Sequence, residues 1–365
     1  MSTTDLDRRI ARTVRQDVTS SAGYAIQPSA GMVKLDAMEN PFGLPPALKR
    51  ALGERLAEVA INRYPIHKGE VAAALAQHFE VPAGCKVIVG NGSDELIDLL
   101  SVACHHPQGP TATVLAPLPG FVMYEMSARL CGLEFVGVPL TANFELDEAA
   151  MLAAIEAARP ALTYIAYPNN PTGNLFDERI VEKIVEAVGA QDGFVVFDEA
   201  YQPFSSRSWM PRLATHEHVL VLRTLSKFGL AGVRIGYLAG AAALVEQIDK
   251  VSPPYNISGL NAAATLFALE HAEVYAEQAD ILRRERQRLM IALRGMSGVT
   301  VFPSEANMIL VRVPDSKRAF EGLKQRRVLV KHIAGLHPLL ANCLRLTVGA
   351  PEENTMMIDA LKESL

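Results

Sequence analysis

"VLRTLSKFGLAGVRIGY" (residues 221–237) runs an apolar, β-prone stretch into Ser226-Lys227. It then passes Gly229, Gly232, Arg234 and Gly236 on the way to a second apolar stretch. By itself a strand that stops on a lysine before a glycine-rich turn is an ordinary surface feature. Its meaning depends on what the neighbouring strands carry at their ends. "KVIVG" (86–90), "TATVLAP" (111–117), "LEFVGVPL" (133–140), "LTYIAYP" (162–168), "GFVVFDEA" (193–200), "HVLVLRT" (218–224) and "IGYLAG" (235–240) are all apolar runs of strand length. Most are continuously apolar, as strands covered on both faces are. Helical-period segments such as 93–104 and 177–190 alternate with them, which is the pattern of βαβ units.

Beyond residue 251 the pattern changes. Residues 252–293 read as long helices, and "NMILVRVP", "RVLVKHI" and "CLRLTVG" read as a short-stranded final sheet. The expected division is an N-terminal arm (1–40) packing with the small domain and a partner subunit, a large α/β domain (41–250) and a small α+β domain (251–365). A chain of 365 residues is long enough for two cores.

With 35 Lys and Arg against 40 Asp and Glu, the net charge of −5 gives no general field for nucleic acid or anionic lipid. The polar start "MSTTDLDRRIARTVRQDV" has no apolar signal core, and no run reaches the ~20 apolar residues of a membrane span, so a cytoplasmic protein is expected. Four scattered cysteines, without a C-x-x-C pair, indicate neither a disulfide framework nor zinc and read as small buried hydrophobes.

In open α/β sheets ligands sit at the carboxyl ends of strands, and four such ends stand out. "VGNGSDELIDLL" (89–100) brings Gly90 and Gly92 before a helix starting near Ser93, whose free N–H groups suit a phosphate. Asp94 and Glu95 must then face away from it. "YPNNPTGNLF" (167–176) makes a proline turn that presents Asn170, and "FVVFDEAYQPF" (194–204) ends an apolar strand on Asp198, Glu199 and Tyr201. An aspartate there suits a nucleotide hydrolase only beside a Gly-Lys phosphate loop, and that dipeptide does not occur. The fourth end is Lys227 with Arg234. A lysine for a Schiff base, an aspartate for a pyridinium nitrogen, and an arginine with a helix N-terminus for a phosphate are the set pyridoxal phosphate requires.

With those residues in place the sequence resembles the fold-type I pyridoxal-phosphate aminotransferases, and most closely their histidinol-phosphate aminotransferase family. "LDAMENPFG", "NRYP", "GNGSDELI", "PNNPTG", "VVFDEAY", "RTLSK", "GLAGVRIGY" and "CLRLTVGAPEEN" follow one another in the family's order over nearly the whole chain. The resemblance implies a large domain with a mostly parallel seven-stranded sheet between helices, a small α+β domain, and pyridoxal 5'-phosphate as cofactor. It gives Lys227, Asp198 and Tyr201 the catalytic roles. Lys227 anchors the cofactor, Asp198 meets its ring nitrogen, and Tyr201 with Asn170 meets its ring hydroxyl. Phe121, in "PGFVMY", covers the ring. Gly92, Ser93, Asp94, Ser226 and Arg234 hold the phosphate, joined by Tyr64 from a second subunit, so a homodimer with shared active sites is implied.

Tyr24, Asn170, Lys331 and Arg345 are the implied substrate contacts, for a small-molecule amino donor and a 2-oxo acid acceptor. Many relatives have an arginine where this chain has Lys331, which supplies charge without a bidentate fork. The implied reaction exchanges histidinol phosphate and 2-oxoglutarate for imidazole-acetol phosphate and glutamate, in histidine biosynthesis. An aromatic amino-acid aminotransferase or a threonine-phosphate decarboxylase on the same scaffold are the alternatives.

Overall fold

The computed structural model describes residues 4–20, 27–106 and 108–365. Residues 1–31 form a unit of their own. Within it, helix Asp5–Thr13 opens with a capping box: Thr4 Oγ1 accepts the Asp7 N–H, and the Asp7 carboxylate accepts the Thr4 N–H. Residues 32–365 form the second unit. Its strands are β1 (Val33–Leu35), β2 (Cys85–Asn91), β3 (Thr113–Leu118), β4 (Glu134–Pro139), β5 (Leu162–Ala166), β6 (Phe194–Asp198), β7 (Val219–Thr224), β8 (Ile235–Ala241), β9 (Thr300–Val301), β10 (Met308–Arg312), β11 (Val328–His332) and β12 (Cys343–Thr347).

All seven apolar runs of the first two-thirds become strands of one sheet, in the order β2-β8-β7-β6-β5-β3-β4. The β7–β6, β6–β5, β5–β3 and β3–β4 pairs are parallel, and β8 runs antiparallel to both β7 and β2. Continuous apolarity has its reason in the packing. Along β6, Val195 and Phe197 enter one core cluster while Val196 enters another; along β7, Val219 and Val221 part from Leu220 and Leu222 in the same way. Successive side chains point to opposite faces, so a strand covered on both sides buries every residue. Each fully buried Val, Leu or Phe contributes roughly 1.5–3 kcal/mol of transfer free energy.

The covering helices show the matching 3.6-residue period. In Glu178–Gly189, capped by the Asp177 side chain, Val181, Ile184, Val185 and Val188 are the buried face. The helical region after 251 resolves into Gly259–Glu270 and Ala272–Arg294, broken at His271. Among the described residues the final sheet has five strands, in the order β1-β11-β12-β10-β9. Three were expected. β1 and β9 are three and two residues long, too short for a period-2 pattern to register. Cys343 alone among the four cysteines is fully buried; Cys85, Cys104 and Cys131 are half-buried, and all four are free thiols.

The glycines of the opening stretch differ in what they do. Gly229 has φ +133°, a conformation that L side chains rarely adopt. A Cβ on Gly236 would lie 2.6 Å from Gly92 C and Ser93 N, so β8 passes the start of helix Gly92–Cys104 with no room for a side chain. Gly232 has nothing within 4 Å. Gly236→Ala is therefore expected to cost at least about 1–3 kcal/mol through overpacking against backbone. Gly232→Ala is expected to be neutral or to gain about 0.4–1 kcal/mol. Urea unfolding midpoints of the two variants check this; a lower midpoint for Gly232→Ala than for Gly236→Ala is the contrary result.

Candidate active site

Parallel strands bring their carboxyl ends to one edge of a sheet, and the antiparallel β8 brings its amino end to the same edge. Asn91, Leu118, Ala166, Asp198 and Thr224 close their strands there, and Ile235 opens β8 there. Residues that follow or precede those ends gather around one cavity: Ser93 and Asp94 after β2, Phe121 after β3, Asn170 after β5, Asp198 and Tyr201 at β6, Ser226 and Lys227 after β7, and Arg234 before β8. Nine residues expected at the site, spread from position 93 to position 234, thus meet.

Asp198 is 5% exposed. Its Oδ2 accepts a hydrogen bond from Tyr124 Oη at 2.6 Å and its Oδ1 accepts one from the Ala200 amide at 3.1 Å. Among the described residues no cation pairs with it, and burial pushes its carboxyl up to about 6 against the help of those two donors. Glu199, one residue on, points to the other face. There Arg223 Nη2 donates to its Oε2 at 2.8 Å and Ser208 Oγ donates at 2.9 Å. Glu199 is thus neutralised in the core, and Asp198 is left for the cavity.

Lys227 lies in a wide helical turn, Ser226–Leu230, that follows β7. Its Nζ donates to the Ala37 carbonyl at 2.8 Å. Burial, with the Arg345 guanidinium adding repulsion, lowers its ammonium to about 8. Arg234 bends back over the helix N-terminus: Nη1 donates to Ser226 Oγ at 3.4 Å, Nη2 is 3.6 Å from Asp94 Oδ2, and a Cβ on Gly92 would lie 2.6 Å from Nη2. Gly92, with φ +81°, is thereby a close-approach position as well as a turn. The guanidinium, the Ser226 hydroxyl and the free N–H groups at the start of helix Gly92–Cys104 converge on one patch with the character of an anion cradle.

Of the two carboxylates expected to face away from that patch, only Glu95 does, folding back to accept from the Asn91 amide at 2.6 Å and from Asn256 Nδ2 at 2.7 Å. Asp94 lines the cavity, because Arg234 draws its carboxylate inward.

The small sheet contributes from the other side. Arg345 on β12 donates from Nη1 to Asn170 Oδ1 at 2.7 Å and from Nη2 to the Asp36 carbonyl at 2.8 Å. Lys331 is its cross-strand neighbour on β11, so two cationic side chains stand on adjacent strands. Glu353, eight residues after Arg345 in sequence, accepts from the Ala350 amide at 2.8 Å. Tyr64 does not line the cavity of its own chain. It is 76% exposed and stacks on Tyr255 at 4.5 Å in a separate groove. Tyr24 lies outside the described residues.

Residues 30–361 match the model of the aminotransferase class I and II family. The chain belongs to this family. It is 68% identical to the histidinol-phosphate aminotransferase of Methylibium petroleiphilum over 97% of this chain and 95% of the relative. It is 60% identical to that of an Acidovorax species over 96% of each. Among solved structures it resembles the histidinol-phosphate aminotransferase from Sinorhizobium meliloti in complex with pyridoxal-5'-phosphate (TM-score 0.83, 23% identity, 96% of this chain and 97% of that one). It also resembles the L-threonine-O-3-phosphate decarboxylase from Porphyromonas gingivalis (TM-score 0.76, 21% identity, 91% and 99%). At such identities the likeness establishes the aminotransferase's fold, a fold-type I α/β architecture, and not its reaction.

Sequence reasoning passed over two contacts of this aminotransferase site. Tyr124 sits in the quoted "PGFVMY" run, three residues after Phe121, and only the fold shows it reaching Asp198. The Ala37 carbonyl belongs to "LDAMENPFG", a segment tied down by Asn307 Nδ2 donating to the Met38 carbonyl at 3.0 Å and by the Met38 amide donating to Thr347 Oγ1 at 3.2 Å. Backbone acceptors leave no residue-type signal. The lowered Lys227 ammonium can be measured directly. In cofactor-free protein whose lysines carry 13C-dimethyl labels, one resonance is expected to titrate near pH 8, well below those of exposed lysines, and to be missing from Lys227→Arg. Titration of every lysine near pH 10 is the contrary result.

Proposed function

We propose that this aminotransferase interconverts histidinol phosphate and imidazole-acetol phosphate, with glutamate and 2-oxoglutarate as the other pair, in histidine biosynthesis. The observation that carries the reading is 68% identity, over 97% of this chain, to a protein named histidinol-phosphate aminotransferase.

The cofactor is pyridoxal 5'-phosphate, and the residues present fit it. Asp198 is a buried carboxylate without a cationic partner among the described residues; Gly92, Ser93, Ser226 and Arg234 form an anion cradle; and Lys227 is an amine that burial keeps more readily in its nucleophilic free-base form. Asp94, on the cradle's rim, holds Arg234 in place. Phe121, at the mouth, provides an aromatic face for a planar ring, and Tyr201 and Asn170 provide polar groups for its hydroxyl. When bound, the cofactor supplies an aldehyde carbon for amine exchange and an electron-poor ring that accepts the electron pair left when the substrate Cα loses its proton.

The chain's own residues do the rest. Asp198 keeps a proton on the ring nitrogen, since two unit charges ~3 Å apart at an effective dielectric of ~20 attract by at most roughly 5 kcal/mol. Lys227 Nζ takes the proton from the substrate Cα, and its lowered pKa leaves about a tenth of it as free base at pH 7, far more than an exposed lysine would have. Arg345, held on Asn170 and the Asp36 carbonyl, receives the phosphate of one substrate and the carboxylate of the other, with Lys331 adding charge. Tyr64 serves the cofactor phosphate of a second subunit. Its exposure, with that of Ile61 and Ile66 beside it, supports a homodimer with shared sites, and the enzyme works in the cytoplasm.

Borohydride reduction of the yellow holoenzyme is expected to fix the cofactor on Lys227, read by peptide mapping. Histidinol phosphate is expected to exceed histidinol, phenylalanine and tyrosine in kcat/KM by about ten- to a hundredfold, the worth of a charge-assisted contact of about 1.5–3 kcal/mol. Label on another lysine overturns the assignment, and equal rates for phenylalanine and histidinol phosphate overturn the substrate. The shared site has its own test. Heterodimers of Lys227→Ala with a chain disabled by Tyr64→Ala are expected to regain activity on mixing, because one of their two sites is intact. Verified heterodimers that remain inactive place Tyr64 within its own chain's site.

A further inference from the structure

Asp198 has two described hydrogen-bond donors, and one of them has no role in the reading above. Tyr124, on helix Val122–Leu130, is fully buried and gives its hydroxyl proton to Asp198 Oδ2 at 2.6 Å. Its ring is held from two sides. Tyr164 of β5 stacks on it at 4.4 Å with planes 8° apart, and Phe121 meets it edge-on at 5.6 Å. The pair exists because of the β6 pleat: Val196 and Asp198 share the face on which Tyr124, Tyr164 and Leu96 pack. The Tyr164 hydroxyl, in the same stack, is buried with no hydrogen-bond partner among the described residues. So of two stacked phenols only one is directed at the carboxylate.

We infer that Tyr124 is a positioning residue for the proposed reaction: its hydroxyl keeps Asp198 ionised and aimed into the cavity, so that a proton shared with a bound heteroaromatic nitrogen stays on the nitrogen. This rests on the proposed cofactor chemistry. The physical argument is that a donor to the charged form of a carboxylate lowers its proton affinity. Without Tyr124 the Asp198 carboxylate would bind a proton more tightly and would compete with the ring nitrogen for it, and the electron sink would weaken. The other groups facing Asp198 act against ionisation or are spent elsewhere. Asp94, across the cavity, and Glu199, on the opposite face and paired with Arg223, both raise its proton affinity; the Ala200 amide is the second donor. Burial and the neighbouring carboxylate push the Tyr124 phenol well above its usual range, so it remains a donor at every working pH.

Tyr124→Phe keeps the stack and removes only the O–H. In cofactor-free protein with 13C-carboxyl aspartate, the Asp198 resonance, assigned by its loss in Asp198→Asn, is expected to titrate about 1 to 2 pH units higher than in the unmutated chain. In holoenzyme carrying 15N-labelled cofactor, the ring-nitrogen resonance is expected to move toward the neutral-pyridine position, and kcat to fall about ten- to a hundredfold with KM within about threefold. Tyr164→Phe, which removes the unbonded hydroxyl from the same stack, is expected to leave all three readouts in place. Equal behaviour of the two variants, or an unmoved Asp198 titration in Tyr124→Phe, overturns the inference. Borohydride label missing from Lys227 in the unmutated holoenzyme overturns the underlying reading instead, so the two failures are distinguishable.

Discussion

Asp198 and Glu199 are consecutive acidic residues at the end of an apolar strand, and the pleat sends them to opposite faces. That constraint organises everything around it. On one face Glu199 is bonded to Arg223, Ser208 and the Trp209 amide. Its negative charge is thereby spent inside the core, where an unpaired carboxylate would cost several kcal/mol. On the other face Asp198 meets, among the described residues, only neutral donors, so its charge remains to be answered from the cavity. A one-residue slip of β6 would exchange the two roles.

Around that carboxylate the protein holds cations in a chain whose net charge is negative. Lys227, Arg234 and Arg345 reach the cavity region from β7, the turn before β8, and β12. Each is braced by neutral oxygens: the Ala37 and Asp36 carbonyls, the Ser226 hydroxyl and the Asn170 amide oxygen. Bracing largely by dipoles, with one longer carboxylate contact from Arg234 to Asp94 at 3.6 Å, keeps much of the positive field available. It suits a site that must accept a phosphate and then a carboxylate, since a cation fully neutralised within the protein would attract neither.

The central runs of the large sheet, β3, β5, β6, β7 and β8, were legible because strands covered on both faces keep few polar positions to blur their ends. The strand-end residues were legible for a related reason: a lysine, an aspartate and an arginine beside glycines stand out against such runs. β1 and β9 were not legible, being too short for periodicity. Tyr124 was not, because an aromatic residue on an amphipathic helix is most often plain core and its hydroxyl partner lies 74 positions away. Asp94 was misread, since its direction depends on where Arg234 sits and not on its own helix.

The sequence by itself determined which residues could carry charge and chemistry, and that they would stand at strand ends, because hydrophobic periodicity and glycine or proline punctuation are local properties. The tertiary structure decided which of them meet. The reversal of β8 lays Arg234 over the start of helix Gly92–Cys104, and the β6 pleat gives Asp198 to the cavity and Glu199 to the core. The pairing of β11 with β12 sets Lys331 beside Arg345. These are consequences of strand direction, register and packing between segments distant in sequence, which no local pattern encodes.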